Sequence, residues 1–271
     1  MIEWNSYLCF IFLSIFGLCI GNFLNVIIHR VPIILGDQWN EKNDDVKKEK
    51  YNLFIPGSSC PHCHEKILLI YNIPILGWLY LKGKSRCCNN NINLRYPTVE
   101  TLTAIITVFI MIEHGSIWLN IAALILAWSL IVLAFIDLDK KILPDCITLP
   151  LLWCGLLINV KSMFTPLPSA VIGAVVGYLF FWLAYWLIKA LTGKKGMGYG
   201  DFKLMAALGA WFGWEIIPFL TFISSFLGII GYISLRFFRK KTSKSIAFGP
   251  CLAMSGIISI FFHKNFNYFL Y

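Results

Sequence analysis

Long uninterrupted apolar runs recur along this chain of 271 residues and constrain its fold more than any other feature. One of them extends from Ile117 to Ile136, and a helix needs about 20 such residues to cross a bilayer. The chain is 58% hydrophobic and 14% charged, whereas a soluble domain is roughly a quarter charged. Because the runs do not alternate with polar residues, they favour helices over a barrel. The predicted fold class is an all-α polytopic membrane protein.

Eight apolar runs are candidate transmembrane spans. They are residues 7–28, 98–113, 117–136, 144–160, 169–190, 202–214, 216–237 and 246–262. The sixth is short, so it is either a partly immersed helix or continuous with the seventh. Glu3 stands where a signal peptide would carry basic residues, so we expect the first span to be retained.

The basic residues predict how these spans are oriented. If the N-terminus is outside, segments 29–97, 137–143, 191–201 and 238–245 face the cytoplasm. These segments hold or border 21 of the 23 lysines and arginines, as expected if basic residues mark cytoplasmic loops. The same rule accounts for the net charge of +9, so no nucleic-acid partner is predicted.

Segment 29–97 is the only sizeable polar part. Its first half is charge-mixed and is predicted to be a mobile loop, whereas Pro56 to Pro97 is predicted to be a small stapled module.

Four of the nine cysteines lie in that module, at Cys60, Cys63, Cys87 and Cys88. A C-x-x-C pair followed by more cysteines is typical of a zinc site, and a metal would help so small a module to fold. His62 or His64 could complete the four ligands instead, and free thiols or redox chemistry are the alternative to a metal. The remaining cysteines, Cys9, Cys19, Cys146, Cys154 and Cys251, lie in or beside apolar spans and are predicted to be small core residues.

Two acidic motifs lie at the same predicted membrane face. Asp137 follows the third span, and Asp201 precedes the sixth. Two carboxylates brought together are expected to share one proton, which is what aspartic peptide hydrolysis requires of its acid–base pair. Ionisable groups at membrane depth are functional candidates by default. Asp201 alone could instead be a helix cap, because Asp is a favoured N-cap residue.

The residues around the two acids are candidates for supporting roles. Gly198 and Gly200 are expected to permit backbone geometry and close approach that other residues forbid. Asp145 follows Pro144 and is most simply interpreted as the N-cap of the fourth span.

Four stretches together resemble the bacterial type IV prepilin peptidases, also called leader peptidases. They are GNFLNVIIHRVP at 21–32, the region from CPHC at 60–63 through NIPILGWLYLKGKSR to RYPTVE at 95–100, IDLDKKILPD at 136–145 and GYGDFK at 198–203. With the eight spans they cover most of the chain. The resemblance implies an inner-membrane protein with a periplasmic N-terminus. It also implies a first span at 1–28, a cytoplasmic zinc-binding and methylation domain at 29–97 and a seven-span peptidase domain at 98–271.

The resemblance implies a G-x-G-D aspartic protease whose catalytic pair is Asp137 and Asp201. Asp139 and Asp145 would then bind the basic leader or stabilise the turn, and Lys203 would lie near enough to tune the pair. The family cuts the short leader of type IV prepilins and type II secretion pseudopilins at the cytoplasmic face, typically after a glycine. Many members then N-methylate the new terminus with S-adenosylmethionine. Where the family typically has a third zinc-binding cysteine, this chain has Ser85.

Two functions from other classes also account for part of the sequence. A proton-coupled transporter would use membrane carboxylates, but it predicts acids near the bilayer midplane and an inverted repeat. A non-catalytic metal-binding scaffold of a pilus or secretion assembly explains the cysteines, but it leaves the pairing of the two acidic motifs as coincidence.

Overall fold

The computed structural model describes residues 6–40, 63, 65, 68–113, 116–193, 197–238 and 247–270, and most of these residues are helical. The α-helices of these residues are α1 Ser6–Asn40, α2 Leu76–Tyr80, α3 Arg95–Glu113, α4 Ile117–Lys140, α5 Asp145–Asn159, α6 Leu167–Thr192, α7 Tyr199–Phe212, α8 Ile217–Phe238 and α9 Gly249–Leu270. Short 3-10 helices lie at Leu69–Asn72 and Trp214–Ile216. The described residues form no β-strand, and one isolated bridge joins Lys84 and Asn91. The all-α prediction is confirmed.

Five helical segments are long and apolar enough to cross a membrane. They are Tyr7–Gly36, Arg95–Glu113, Ile117–Lys140, Leu167–Thr192 and Trp214–Ser234. Two shorter apolar helices, Asp145–Asn159 and Gly249–Phe262, lie at two further predicted spans. The predicted sixth span corresponds to α7, which belongs to neither group. A polytopic membrane protein is therefore supported, while the number eight stays a prediction.

Helices α1, α4 and α9 continue well beyond the ends predicted for their spans, and α9 reaches Leu270 instead of residue 262. The first span was predicted to give way to a loop after residue 28, but α1 runs on to Asn40. The third was predicted to end at Ile136, whereas α4 continues to Lys140 and carries Asp137 and Asp139 within its last turn. Helices stop where the backbone prevents the next turn, not where hydrophobicity ends. Here Lys141 adopts a left-handed φ of 57°, and Pro144 follows it closely.

The chain divides into two compact units, Met1–Gly115 and Ser116–Tyr271. In the first unit, α1 and α3 pack antiparallel at close range. A Cβ atom on Gly17 would lie 2.6 Å from the Cα of Ala104, and one on Gly21 would lie 2.6 Å from the Cα of Glu100. These two glycines, spaced four residues apart, form the small-residue pattern that lets membrane helices approach closely.

The segment between α1 and α3 is fastened to this helix pair by polar contacts. The carboxylate of Glu100, which is buried in α3, accepts the amide hydrogen of Ile75 at 2.8 Å. The Asn22 side chain of α1 donates to the carbonyl of Asn72 at 3.0 Å. A buried carboxylate and a side-chain amide thus satisfy backbone groups of the segment that also carries the described cysteines.

In the second unit, α7 is the central helix, and 11 of its 14 residues are buried. It packs against α6 where Gly173 and Gly209 face each other, with no room for a side chain on either. The last carbonyls of α7, on Ala210 and Trp211, accept hydrogen bonds from the Asn159 side chain at 2.9 Å each. Helix ends leave such carbonyls unpaired, so Asn159 closes α7 at the end opposite Asp201.

Candidate active site

Asp137 lies in the last turn of α4 and is 6% exposed. Its Oδ2 atom accepts a hydrogen bond of 3.0 Å from the backbone N–H of Gly249, the first residue of α9. Its own carbonyl accepts the amide hydrogen of Lys141 at 2.9 Å, which closes α4. One carboxylate oxygen of Asp137 is therefore fixed by the backbone of a helix that lies 112 residues further along the chain.

Asp201 lies in the first turn of α7 and is 7% exposed. Its Oδ2 atom accepts the amide hydrogen of Gly198, the residue before α7, at 3.2 Å. Burial and, to a lesser extent, the nearby negative charge of Asp137 raise the pKa of Asp201 to about 7. Asp201 can therefore hold a proton near neutral pH.

The end of α4 and the start of α7 are brought together by the turn that follows α4. A Cβ atom on Gly200 would lie 2.8 Å from the Cβ of Leu143, so the close approach expected of Gly200 is present. Gly198 behaves differently from the expectation. Its φ of −85° suits any residue, and the nearest atom to a Cβ there, 3.6 Å away, belongs to Asp201. The site therefore uses the amide hydrogen of Gly198 and not its conformational freedom.

Asp145 and Lys203 form an ion pair beside the two acids. The Nζ atom of Lys203 lies 2.7 Å from each carboxylate oxygen of Asp145. The prediction that Asp145 caps the next helix is wrong in detail. Pro144 occupies the N-cap position, and Asp145 is the first residue of α5, so its side chain is available to Lys203. Asp139, the third aspartate of this motif, is exposed near the end of α4.

Two buried carboxylates with unequal surroundings can act as an acid–base pair. A carboxylate can take a proton from water as the water attacks a peptide carbonyl, while a protonated partner donates a hydrogen bond to that carbonyl. The nearby charge of Asp137 favours a proton on Asp201, because two adjacent carboxylates do not ionise together at low cost.

The predicted cysteine site is described in part. Cys63, Cys87 and Cys88 place their sulfur atoms within 4.8 Å of one another, while Cys60 lies outside the described residues. The Cys63 and Cys87 sulfurs are 2.9 Å apart. The Ser85 hydroxyl lies 3.0 Å from the Cys88 sulfur, so a serine occupies the edge of the cluster. Three clustered thiols fit three of the four positions around a tetrahedral zinc ion.

Sequence reasoning missed Gly249. It stands in the stretch AFGPC, within the first residues of the eighth predicted span. Gly followed by Pro commonly marks a turn, and Pro is common in the first turn of a helix, so the helix start was visible. Nothing in the spacing indicated that this start would reach Asp137.

Two family models cover most of the chain. Residues 15–114 match the bacterial peptidase A24 N-terminal domain, and residues 124–233 match the type IV leader peptidase family. The second match contains both Asp137 and Asp201. The chain belongs to the type IV leader peptidase family.

Relatives over nearly the full length carry one name, prepilin leader peptidase/N-methyltransferase. The protein of that name from Aeromonas hydrophila is 49% identical over 94% of this chain and 91% of its own length. The relatives from Pseudomonas aeruginosa and Neisseria gonorrhoeae are 43% and 44% identical, each over 90% of this chain and 87% of their own length. No solved structure matches the chain significantly. Membership of the leader peptidase family agrees with the resemblance stated from the four motifs.

Proposed function

We propose that this chain is a membrane-embedded aspartic endopeptidase that removes the leader from type IV prepilins or type II secretion pseudopilins and methylates the new N-terminus. The observation that carries the proposal is the pair Asp137 and Asp201, two buried carboxylates that interact at the adjoining ends of α4 and α7. The names of relatives that are 49% and 42% identical to this chain combine the same two activities.

In this proposal Asp137 and Asp201 share the catalytic proton. One carboxylate activates the attacking water, and its protonated partner polarises the scissile carbonyl. Asp145 and Lys203 hold the start of α5 against the start of α7, and Gly200 lets the first turn of α7 lie against the loop after α4. The amide of Gly198 fixes one oxygen of Asp201. The negative charge of exposed Asp139 would attract the basic leader of the substrate.

We further propose an inner-membrane location with the acids at the cytoplasmic face, supported by the distribution of basic residues. Prepilins have a basic leader followed by an apolar helix, so their cleavage site would lie at this interface.

In this proposal residues 29–97 form the metal-binding and methylation domain, and residues 98–271 form the peptidase domain. Zinc would be held by Cys60, Cys63, Cys87 and Cys88, where it would stabilise the folded module. An S-adenosylmethionine-type donor would supply the methyl group.

The decisive test is cleavage of a prepilin by the purified full-length chain in detergent. Asp137→Asn and Asp201→Asn should each abolish cleavage, because each removes one carboxylate of the pair. Asp139→Asn, at an exposed carboxylate two residues from Asp137, should lower cleavage far less, because it affects only the attraction of the leader. Substantial cleavage by either of the first two variants would refute the proposed pair.

The second activity has an independent readout. Mass spectrometry of a processed pilin should show about 14 Da added when the methyl donor is present, as expected for one methyl group. A pilin supplied already cleaved should be methylated by Asp137→Asn as well as by the wild type. That measurement also shows that the inactive peptidase variant is folded.

A further inference from the structure

We infer that Gly249 is a positioning residue for the peptidase reaction, acting through a backbone hydrogen bond that fixes one oxygen of Asp137. This inference rests on the proposed function, because it assumes that Asp137 is a catalytic carboxylate. It assigns a role to the beginning of α9, a helix that the two acidic motifs do not include.

The hydrogen bonds of the first turn of α9 show why the amide of Gly249 is available. Pro250 has no amide hydrogen, and the amides of Cys251 and Leu252 both donate to the carbonyl of Phe248, at 3.0 and 3.1 Å. The amide of Gly249 donates to Asp137 Oδ2 at 3.0 Å instead. Unpaired amides at the start of a helix favour a nearby negative charge. The amide of Gly249 is therefore a suitable hydrogen-bond donor to the carboxylate of Asp137.

A glycine is needed at this position because there is no space for a side chain. A Cβ atom on residue 249 would lie 2.6 Å from Oδ2 of Asp137, 3.0 Å from its Cγ and 3.2 Å from its Cβ. Gly249 does not have a positive φ, so its backbone conformation does not require glycine. A side chain would force either α9 or the carboxylate to move.

The two acids are held in a matching way. Asp137 accepts the amide of Gly249 at Oδ2, and Asp201 accepts the amide of Gly198 at its own Oδ2. No described residue donates a hydrogen bond to Oδ1 of either acid. Each carboxylate is therefore fixed through one oxygen and keeps the other for water and the scissile peptide.

This geometry predicts a defect in turnover and not in binding. Gly249→Ala should lower kcat for prepilin cleavage by about 100-fold, the effect expected when a catalytic group is misplaced by about 1 Å. KM should change less than about twofold, because no substrate contact is assigned to Gly249. Methyl transfer to a pilin supplied already cleaved should stay at the wild-type level.

Two further glycines provide matched controls. Gly231→Ala in α8 places its Cβ where no atom lies within 4 Å, so cleavage and stability should be unchanged. Gly256→Ala lies in α9 itself and would place its Cβ 2.7 Å from a Leu208 methyl group and 2.9 Å from a Leu130 methyl group. The Gly256→Ala variant disturbs the packing of α9 but places no atom near Asp137. It should therefore lower the unfolding temperature and leave kcat for cleavage near the wild-type value.

The experiment measures kcat and KM for cleavage, methyl transfer to cleaved pilin, and thermal unfolding for all three variants beside Asp137→Asn. Loss of kcat in Gly249→Ala with normal methyl transfer, and normal kcat in Gly256→Ala, support the inference. A wild-type kcat in Gly249→Ala overturns it, as does an equal loss of kcat in Gly256→Ala. If Asp137→Asn itself cleaves, the proposed catalytic pair fails, whatever Gly249→Ala does.

Discussion

Lys203 donates to both carboxylate oxygens of Asp145 at 2.7 Å, joining the first turn of α7 to the first residue of α5. The two side chains are 32% and 55% exposed, so water screens the attraction. Exposed ion pairs contribute about 0.2–1 kcal/mol to stability. The importance of this pair therefore lies in its position, two residues after Asp201, more than in its energy.

Neutralising Lys203 should affect catalysis more than stability. Lys203→Met should lower the free energy of unfolding by less than about 1 kcal/mol, because the pair is exposed. It should lower the rate of prepilin cleavage by about 10-fold, because the first turn of α7 would lose its tether to α5. Denaturant unfolding and a cleavage assay measure the two effects. Lys189→Met is the control, at a half-buried basic residue near the end of α6 whose Nζ lies over the Trp186 ring, away from Asp145. If Lys189→Met loses the same fraction of cleavage activity as Lys203→Met, a specific role for Lys203 is contradicted.

Asp201 should make the stability of the chain depend on pH. Its pKa lies at about 7 in the folded chain, above the ordinary value of 3.8, so the folded state binds this proton more tightly than the unfolded state. The resulting stabilisation is fully present below about pH 4 and is lost as pH rises through about 7. Thermal unfolding between pH 4 and pH 8 should show the wild type losing stability relative to Asp201→Asn as pH rises, because the neutral amide of the variant does not titrate. Asp139→Asn should parallel the wild type, and a pH-independent difference for Asp201→Asn would be inconsistent with the raised pKa.

Gly209→Ala should destabilise the chain through the crossing of α6 and α7. The added Cβ would meet the backbone of Gly173, which cannot rotate away as a flexible side chain can. Overpacking of this kind costs about 1–3 kcal/mol. Unfolding in detergent should show the loss, with Gly231→Ala as the control because its Cβ meets no atom within 4 Å. An unchanged unfolding midpoint in Gly209→Ala would mean that the two helices can separate at little cost.

The cysteine cluster should bind zinc through its thiols. Elemental analysis of the purified chain should give about one zinc per molecule, and Cys63→Ser should remove most of it, because a structural site loses affinity when a thiolate is lost. Cys154→Ser, at a thiol in α5, is the control. Ser85→Cys should retain zinc more strongly against a chelator, since residue 85 already lies 3.0 Å from the Cys88 sulfur. Negligible zinc in both the wild type and Ser85→Cys would remove the metal from the proposal.

Hydrophobic patterning predicted most of the helices, because a bilayer requires long apolar segments with internally paired backbones. It misplaced the ends of α1 and α4, since a helix continues through polar residues until its backbone is interrupted. The interruption after α4 comes at Lys141, whose left-handed conformation is rare for a lysine and was not expected from its sequence context.

The two acids were predicted from topology, because both motifs border spans at one face. Their immediate partners could not be predicted in the same way. The bond from Gly249 to Asp137 joins residues 112 positions apart, and the pair of Lys203 and Asp145 joins residues 58 apart. Such contacts depend on which helix ends meet when the bundle packs. A single sequence contains no periodic signal for that arrangement.

The enclosure of α7 has a consequence for how the membrane acts on this protein. Trp211 and most other residues of α7 are surrounded by neighbouring helices, whereas α6 and α8 expose many large apolar side chains on their outer surfaces. Changes in acyl-chain length or order therefore act first on those outer helices, and Asp201 sits on a helix that most lipid contacts do not reach. Bacteria that adjust their lipids with temperature could thus preserve the geometry of the acids while the outer residues of α6 and α8 vary.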